Sequence, residues 1–192
     1  FTGPVGAGGT IGHYGSFFDT TDQALGATGS AQPITLNSIA EQSGVSVQDD
    51  PSDGHSRLTF DYAGTYNIQW SIQITNNDNS NEHDANIWIK HNGTDIADSA
   101  SVVTVPKKHS GTKGSVILSL NYILTATAGQ YIQLMWGGTS TQLTIETVPA
   151  WTSPTSPQSP GIILTAQQIM YTQLGPTGYT GFTGYTGPQG PT

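Results

Sequence analysis

From Gly175 the chain reads GPT GYT GFT GYT GPQ GPT, with glycine at Gly175, Gly178, Gly181, Gly184, Gly187 and Gly190. Only glycine fits at the crowded axis where three polyproline-II strands wind together, so a strict Gly-X-Y period implies a collagen triple helix. The implication is quaternary as well as local: three chains are needed, and the molecule is expected to be a homotrimer. The competing reading is a flexible low-complexity tail. Threonine fills five of the six Y positions, the place where hydroxyproline usually stabilises collagen. The hydroxyls of Thr177, Thr180, Thr183 and Thr186 are therefore candidates for O-linked sugar. Near the start, Gly3, Gly6, Gly9, Gly12 and Gly15 also fall three apart. With a single proline among them, residues 1–15 read either as a short triple helix of two or three triplets or as a glycine-rich linker.

Charge and composition narrow the function classes. Five Lys and Arg against 13 Asp and Glu give a formal charge of −8. That excludes the basic footprint on which nucleic-acid binding depends and the basic clusters that dock on anionic lipid. No apolar run approaches the ~20 residues of a membrane helix. Cysteine is absent, which removes disulfides, thiolate metal sites and cysteine nucleophiles. Charged residues make up only 9%, so solubility rests on Thr, Ser, Asn and Gln. The chain begins at Phe1 rather than Met and is expected to be a fragment.

Between the two tracts the periodicity is that of strands. Tyr66, Ile68, Trp70, Ile72 and Ile74 alternate with Asn67, Gln69, Ser71 and Gln73. A helix would scatter these apolar side chains around its circumference, whereas a strand puts them on one face. Further strands are expected at 57–60, 84–91, 101–105, 115–124, 131–136, 142–147 and 161–172. Asn92-Gly93 predicts a type I′ hairpin returning through Asp95–Ala97. The segment 149–160, with four prolines, reads as a loop. Eight to ten strands at this spacing mean an all-β sandwich or barrel. Trp88, Ile117, Ile123, Tyr131, Met135, Ile163 and Ile169 put apolar groups on the second face of their strands. A monomer would leave such a face wet, so these residues are the candidates for the trimer interface.

A collagen-like tract joined to such a domain resembles the C1q/tumour-necrosis-factor superfamily, in particular its microbial and viral collagen-like members. The resemblance is carried by the aromatic entry strand Tyr14-Gly-Ser-Phe-Phe-Asp19 and the core strand Ala63-Gly-Thr-Tyr-Asn-Ile-Gln-Trp70. Ala128-Gly-Gln-Tyr-Ile-Gln-Leu-Met-Trp136 and the run Ile169-Met-Tyr-Thr-Gln-Leu-Gly-Pro-Thr177 add to it. It implies a ten-strand, homotrimeric C1q/TNF-like jelly roll over 16–174, between a linker at 1–15 and a triple helix at 175–192. In the family the collagen stalk usually precedes the head, whereas here it follows. First and last strands pair antiparallel in this fold, which puts both termini at one end. A segment such as 20–33 would then have to carry the chain along the domain if both tracts were triple-helical.

Chemistry is sparse. There is no Gly-x-Ser-x-Gly, His-Glu-x-x-His, P-loop or dinucleotide fingerprint, and the five histidines are scattered, His91 beside a hairpin turn. Two acidic loops carry Asp49, Asp50 and Asp53, and Asp78, Glu82 and Asp84. Their oxygens could hold Ca²⁺, although neither loop has EF-hand spacing and solvated hairpin loops are the simpler reading. No other cofactor is expected. Asn92-Gly93-Thr94 is also a glycosylation sequon. Trp70 and Trp136 point to the core, while Trp151, in the proline-rich loop, is expected at the surface or an interface, where it could stack on sugar. The reading is a non-enzymatic extracellular fibre protein. On a virion (phage or large virus) its heads would attach to a host-surface glycan or protein. Alternatively, the jelly roll is a structural spacer, repeated along a filament or coat of a microbial cell or spore.

Overall fold

The structure, a computed structural model, describes residues 12–49 and 56–169. The triplets from Gly175 to Gly190 with Thr177, Thr180, Thr183 and Thr186, most of the N-terminal tract, and Asp50 and Asp53 lie outside the described residues.

Ten strands of five or more residues run through the described part. They are β1 (Tyr14–Asp19), β2 (Ser38–Ser43), β3 (Val45–Asp49), β4 (Ser56–Phe60) and β5 (Gly64–Asn76). These are followed by β6 (His83–His91), β7 (Ser101–Val105), β8 (Gly114–Ala126), β9 (Tyr131–Gly138) and β10 (Ile162–Gln168). No helix is present among the described residues. One sheet is ordered β8–β5–β10–β1–β2 and the other β7–β6–β9–β4–β3.

Four antiparallel pairs define the topology: β1 with β10, β4 with β9, β5 with β8 and β6 with β7. Each pair nests inside the one before, first strand with last and inward from there. A long antiparallel hairpin wrapped over itself in this way is a jelly roll. Strands β2 and β3 form an extra pair of edges. Gly44 between them has φ +69°, a conformation open to glycine at no steric cost, and there the chain turns from one sheet to the other.

The core follows from the alternation. Tyr66, Ile68, Trp70, Ile72 and Ile74 on β5 are each at most 2% exposed, facing Ile87, Ile89, Ile132 and Trp136 of the second sheet in a single cluster. Burying side chains of this size contributes about 1.5–3 kcal/mol each. Trp70 and Trp136 are core as expected, although neither indole N–H finds a partner among the described residues. The Asn92-Gly93 turn has φ of 46° and 82°, positive at both positions as a type I′ turn requires.

Two expectations are corrected. Residues 149–160 are not wholly irregular, because Trp151–Thr152 pairs with Thr155–Ser156 in a short hairpin. Residues 20–33 do not carry the chain along the domain. They cross one end of it, pairing at 23–24 with 144–145 and at 31–33 with 135–137, before β2 starts opposite Phe18. Strands β2 and β3 are not among the expected strands, although in β3 Val45 and Val47 face the core and alternate with Ser46 and Gln48.

Candidate functional site

The strand directions give the jelly roll two different ends. At the first, both limits of the described chain meet. Gln168 N–H donates to the His13 carbonyl at 2.7 Å, and His13 N–H donates to Gln168 Oε1 at 3.2 Å. Gln168 Nε2 also donates to the Ala63 carbonyl at 3.1 Å. The His13 ring stacks flat on Tyr62, with centroids 3.8 Å apart. Chain entry and exit are thus side by side, as antiparallel pairing of β1 and β10 demands.

The opposite end carries most of the long connections, and buried or paired carboxylates help to hold them. Asp19, 1% exposed, accepts from Thr21 N–H at 2.6 Å, Thr35 Oγ1 at 2.8 Å and Asn37 Nδ2 at 3.0 Å. These bonds tie the 20–37 crossing to the end of β1. Glu146 accepts from Lys113 Nζ at 2.7 Å and from Thr75 Oγ1. Burial alone would raise its carboxyl, but those hydrogen bonds and the lysine charge outweigh it and hold the pKa below the ordinary value. In the 77–82 loop, Asp78 accepts from Ser80 N–H at 2.7 Å, and His83 Nε2 lies 2.9 Å from its other oxygen. The Ser80 bond first, then His83, lower its pKa to about 2.

Asp78 is therefore committed to its own loop. Asp84 accepts from Thr104 Oγ1, and Asp49 ends β3 on another loop. Among the described residues, no three side chains of ligand type converge on a point that could hold a metal ion.

The seven interface candidates do not share a face. Ile117, Ile123 and Ile163, 68%, 61% and 42% exposed, lie on the outer side of the first sheet, and Ile169 follows β10 at once. Trp88, Tyr131 and Met135 lie on the outer side of the second sheet, across the sandwich. Met135 is only 5% exposed within its own chain. Trp88 donates to Asp95, and the Arg57 guanidinium sits 4.2 Å over the Tyr131 ring. Period-two alternation tells which side of its own sheet a residue occupies, but not which sheet, and so it merged two opposite surfaces.

A different apolar surface emerges at the open edge of the sandwich. The inward side chains of β8 (Val116, Leu118, Leu120, Tyr122 and Leu124) are only partly buried. The edge strand opposite, β7, has five residues against the thirteen of β8, too few to cover it. The only sequence signal for this was that mismatch in strand length, since the alternation of β8 is the same as that of core strand β5.

Two shallow hollows lie on the outer side of the first sheet. A trough of about 510 Å³ is lined by Gln69, Ser71, Ser119, Asn121, Ile163 and Thr165 beside the Trp70 backbone strand. A cleft of about 280 Å³ lies under the Trp151 hairpin. Neither has an ionisable side chain in its lining.

No family model matches the chain, and no curated protein sequence is similar to it. Among solved structures, the globular domain of zebrafish complement 1qA protein is similar with a TM-score of 0.46 at 11% identity, over 83% of this chain and 99% of that one. The jelly-roll assignment rests on the four nested strand pairs.

Proposed function

We propose that this chain is the trimeric, non-enzymatic module of an extracellular fibre, in which jelly rolls associate through their open edges and a collagen-like tract continues from them. The observation that carries this reading is the apolar edge along β8. Five large side chains in one stripe remain partly uncovered, and such a stripe is stabilised by burial against a neighbouring copy. The six Gly-X-Y triplets supply the number of copies, because a collagen helix needs three.

The same reading gives the domain its task. Gly12 and Ile169 lie side by side at one end of the jelly roll, and most of the long loops lie at the other, free to serve as a contact surface. This favours a virion fibre (phage or large virus) whose heads attach to a host surface over an in-line spacer. The spacer reading keeps one observation in its favour, the second set of glycines three apart ahead of the head. Immunogold electron microscopy of the source culture, with antibody against the jelly roll, separates the two. Gold on virus particles supports the attachment fibre. Gold at regular intervals along cell- or spore-bound filaments contradicts it and supports the spacer.

A further inference from the structure

We infer that the cleft under the Trp151 hairpin, with the trough beside it, is a binding site for a neutral oligosaccharide. Three observations converge on this, the cleft lying at the outward end of the jelly roll and the trough at mid-sheet. Trp151 is 58% exposed on a proline-framed hairpin, and a bare indole face is the surface on which the apolar C–H face of a sugar ring stacks. The platform is held in place. Val148 and Ser159 exchange backbone hydrogen bonds at 2.9 Å in both directions. From the sheet below, Gln73 Nε2 donates to Ser159 Oγ and to the Pro160 carbonyl, each at 2.8 Å.

The polar groups around the ring fit hydroxyl groups and no charge. Pro149, Trp151 and Pro157 give the cleft its apolar walls, and Gln73, Ser156 and Ser159 give it an amide and two hydroxyls. Both Gln73 amide protons are used within the protein. Its Oε1 has no partner among the described residues and is left as an acceptor for a sugar hydroxyl. A pocket with convergent neutral donors and acceptors beside an aromatic wall selects a ligand of the same character. In a chain with a formal charge of −8, acidic glycans such as sialylated or sulfated chains are disfavoured further.

Gln69 and Ser71 line the trough, and Gln73 lines the cleft. Alternate residues of one strand are about 7 Å apart, so the two uncharged hollows follow one another along the same face of β5. That length suits an oligosaccharide better than a single sugar. The inference rests on the reading that the outward end of the head meets a host surface, and it names what is met there.

The test is saturation-transfer NMR and tryptophan fluorescence on the full 192-residue chain. The probes are lactose, maltotriose and N,N′-diacetylchitobiose, with 3′-sialyllactose as the charged comparison. At least one neutral sugar should bind saturably. Trp151→Ala should weaken it about tenfold or more, the equivalent of one lost ring contact, and Trp151→Tyr should retain most of the affinity. Gln73→Ala should weaken it about threefold, and sialyllactose should bind no more tightly than lactose. No Trp151-dependent signal from any neutral probe overturns the inference, as does tighter binding of the sialylated sugar. Shielding of Trp151 from acrylamide in the assembled protein also overturns it, because a second copy would then occupy the hairpin. Sedimentation of the same samples separates the two readings. A trimer that binds no sugar overturns only this inference, whereas a monomer that binds overturns only the fibre reading.

Discussion

At the end where Gly12 and Ile169 emerge, the turns at 44, 61–63 and 127–130 are short and only 92–100 is longer, whereas the opposite end spends residues 20–37, 77–82, 106–113 and 139–161 on connections, with carboxylates among their anchors. At the first end, glycines make room for close approach. A Cβ on Gly44 would lie 2.2 Å from the His13 ring, and one on Gly64 would lie 2.2 Å from the Gln168 amide. At the second, side chains reach back over long sequence separations to hold loops that no strand partner holds. The comparison separates a base closed by backbone bonds and close-packed glycines from an opposite surface whose loops rest on a few acidic anchors.

Substitutions should break the base more severely than the outward end. Tyr66 is fully buried near the base, tilted against Phe60 at 4.5 Å, with its hydroxyl donating to the Tyr62 carbonyl at 2.8 Å. Tyr66→Ala is expected to cost about 3–5 kcal/mol through the cavity and the lost bond, read as a shifted denaturant midpoint. Asp19→Ala at the other end should cost about 2–3 kcal/mol, because it strands the donors of Thr21, Thr35 and Asn37. A loss larger than that of Tyr66→Ala would invert the comparison.

Acid should loosen the outward end first. The Asp78 carboxyl is held at about 2 against an ordinary 3.8. A folded-state pKa below the unfolded one contributes stability that is complete above pH 3.8 and is lost as pH falls toward 2. Asp78→Asn should therefore lower stability across the neutral range, flatten that part of the acid-unfolding curve and converge with the unsubstituted chain near pH 2. An acid limb identical to that of the unsubstituted chain would show that the Asp78 charge, held by Ser80 first and then His83, contributes nothing. The smallest effect belongs to Trp151→Ala. An exposed ring on a surface hairpin should change stability by no more than about 0.5 kcal/mol, and a larger loss would make the hairpin part of the folding unit.

How much of this was legible beforehand depended on whether one residue's pattern carried the information. Strands β5, β6 and β8 announced themselves by alternation, and Asn92-Gly93 announced its own turn. Strands β2 and β3 did not: β2 is an edge strand largely in water, with Ile39 53% exposed, and β3 alternates only over Val45–Gln48, too short a run to stand out. The role of Asp19 was hidden because its partners, sixteen and eighteen residues away, arrive only after the chain has crossed between sheets. The β8 edge was the hardest to see. Its side chains alternate as core residues do, and only the shortness of β7 leaves them partly uncovered.

That uncovered edge has a direct consequence for mass. Sedimentation equilibrium of the 192-residue chain should give a species about three times its 20.2 kDa at micromolar concentration. A single species at 20.2 kDa would mean that the β8 edge stays in water, and the trimeric fibre reading would be wrong.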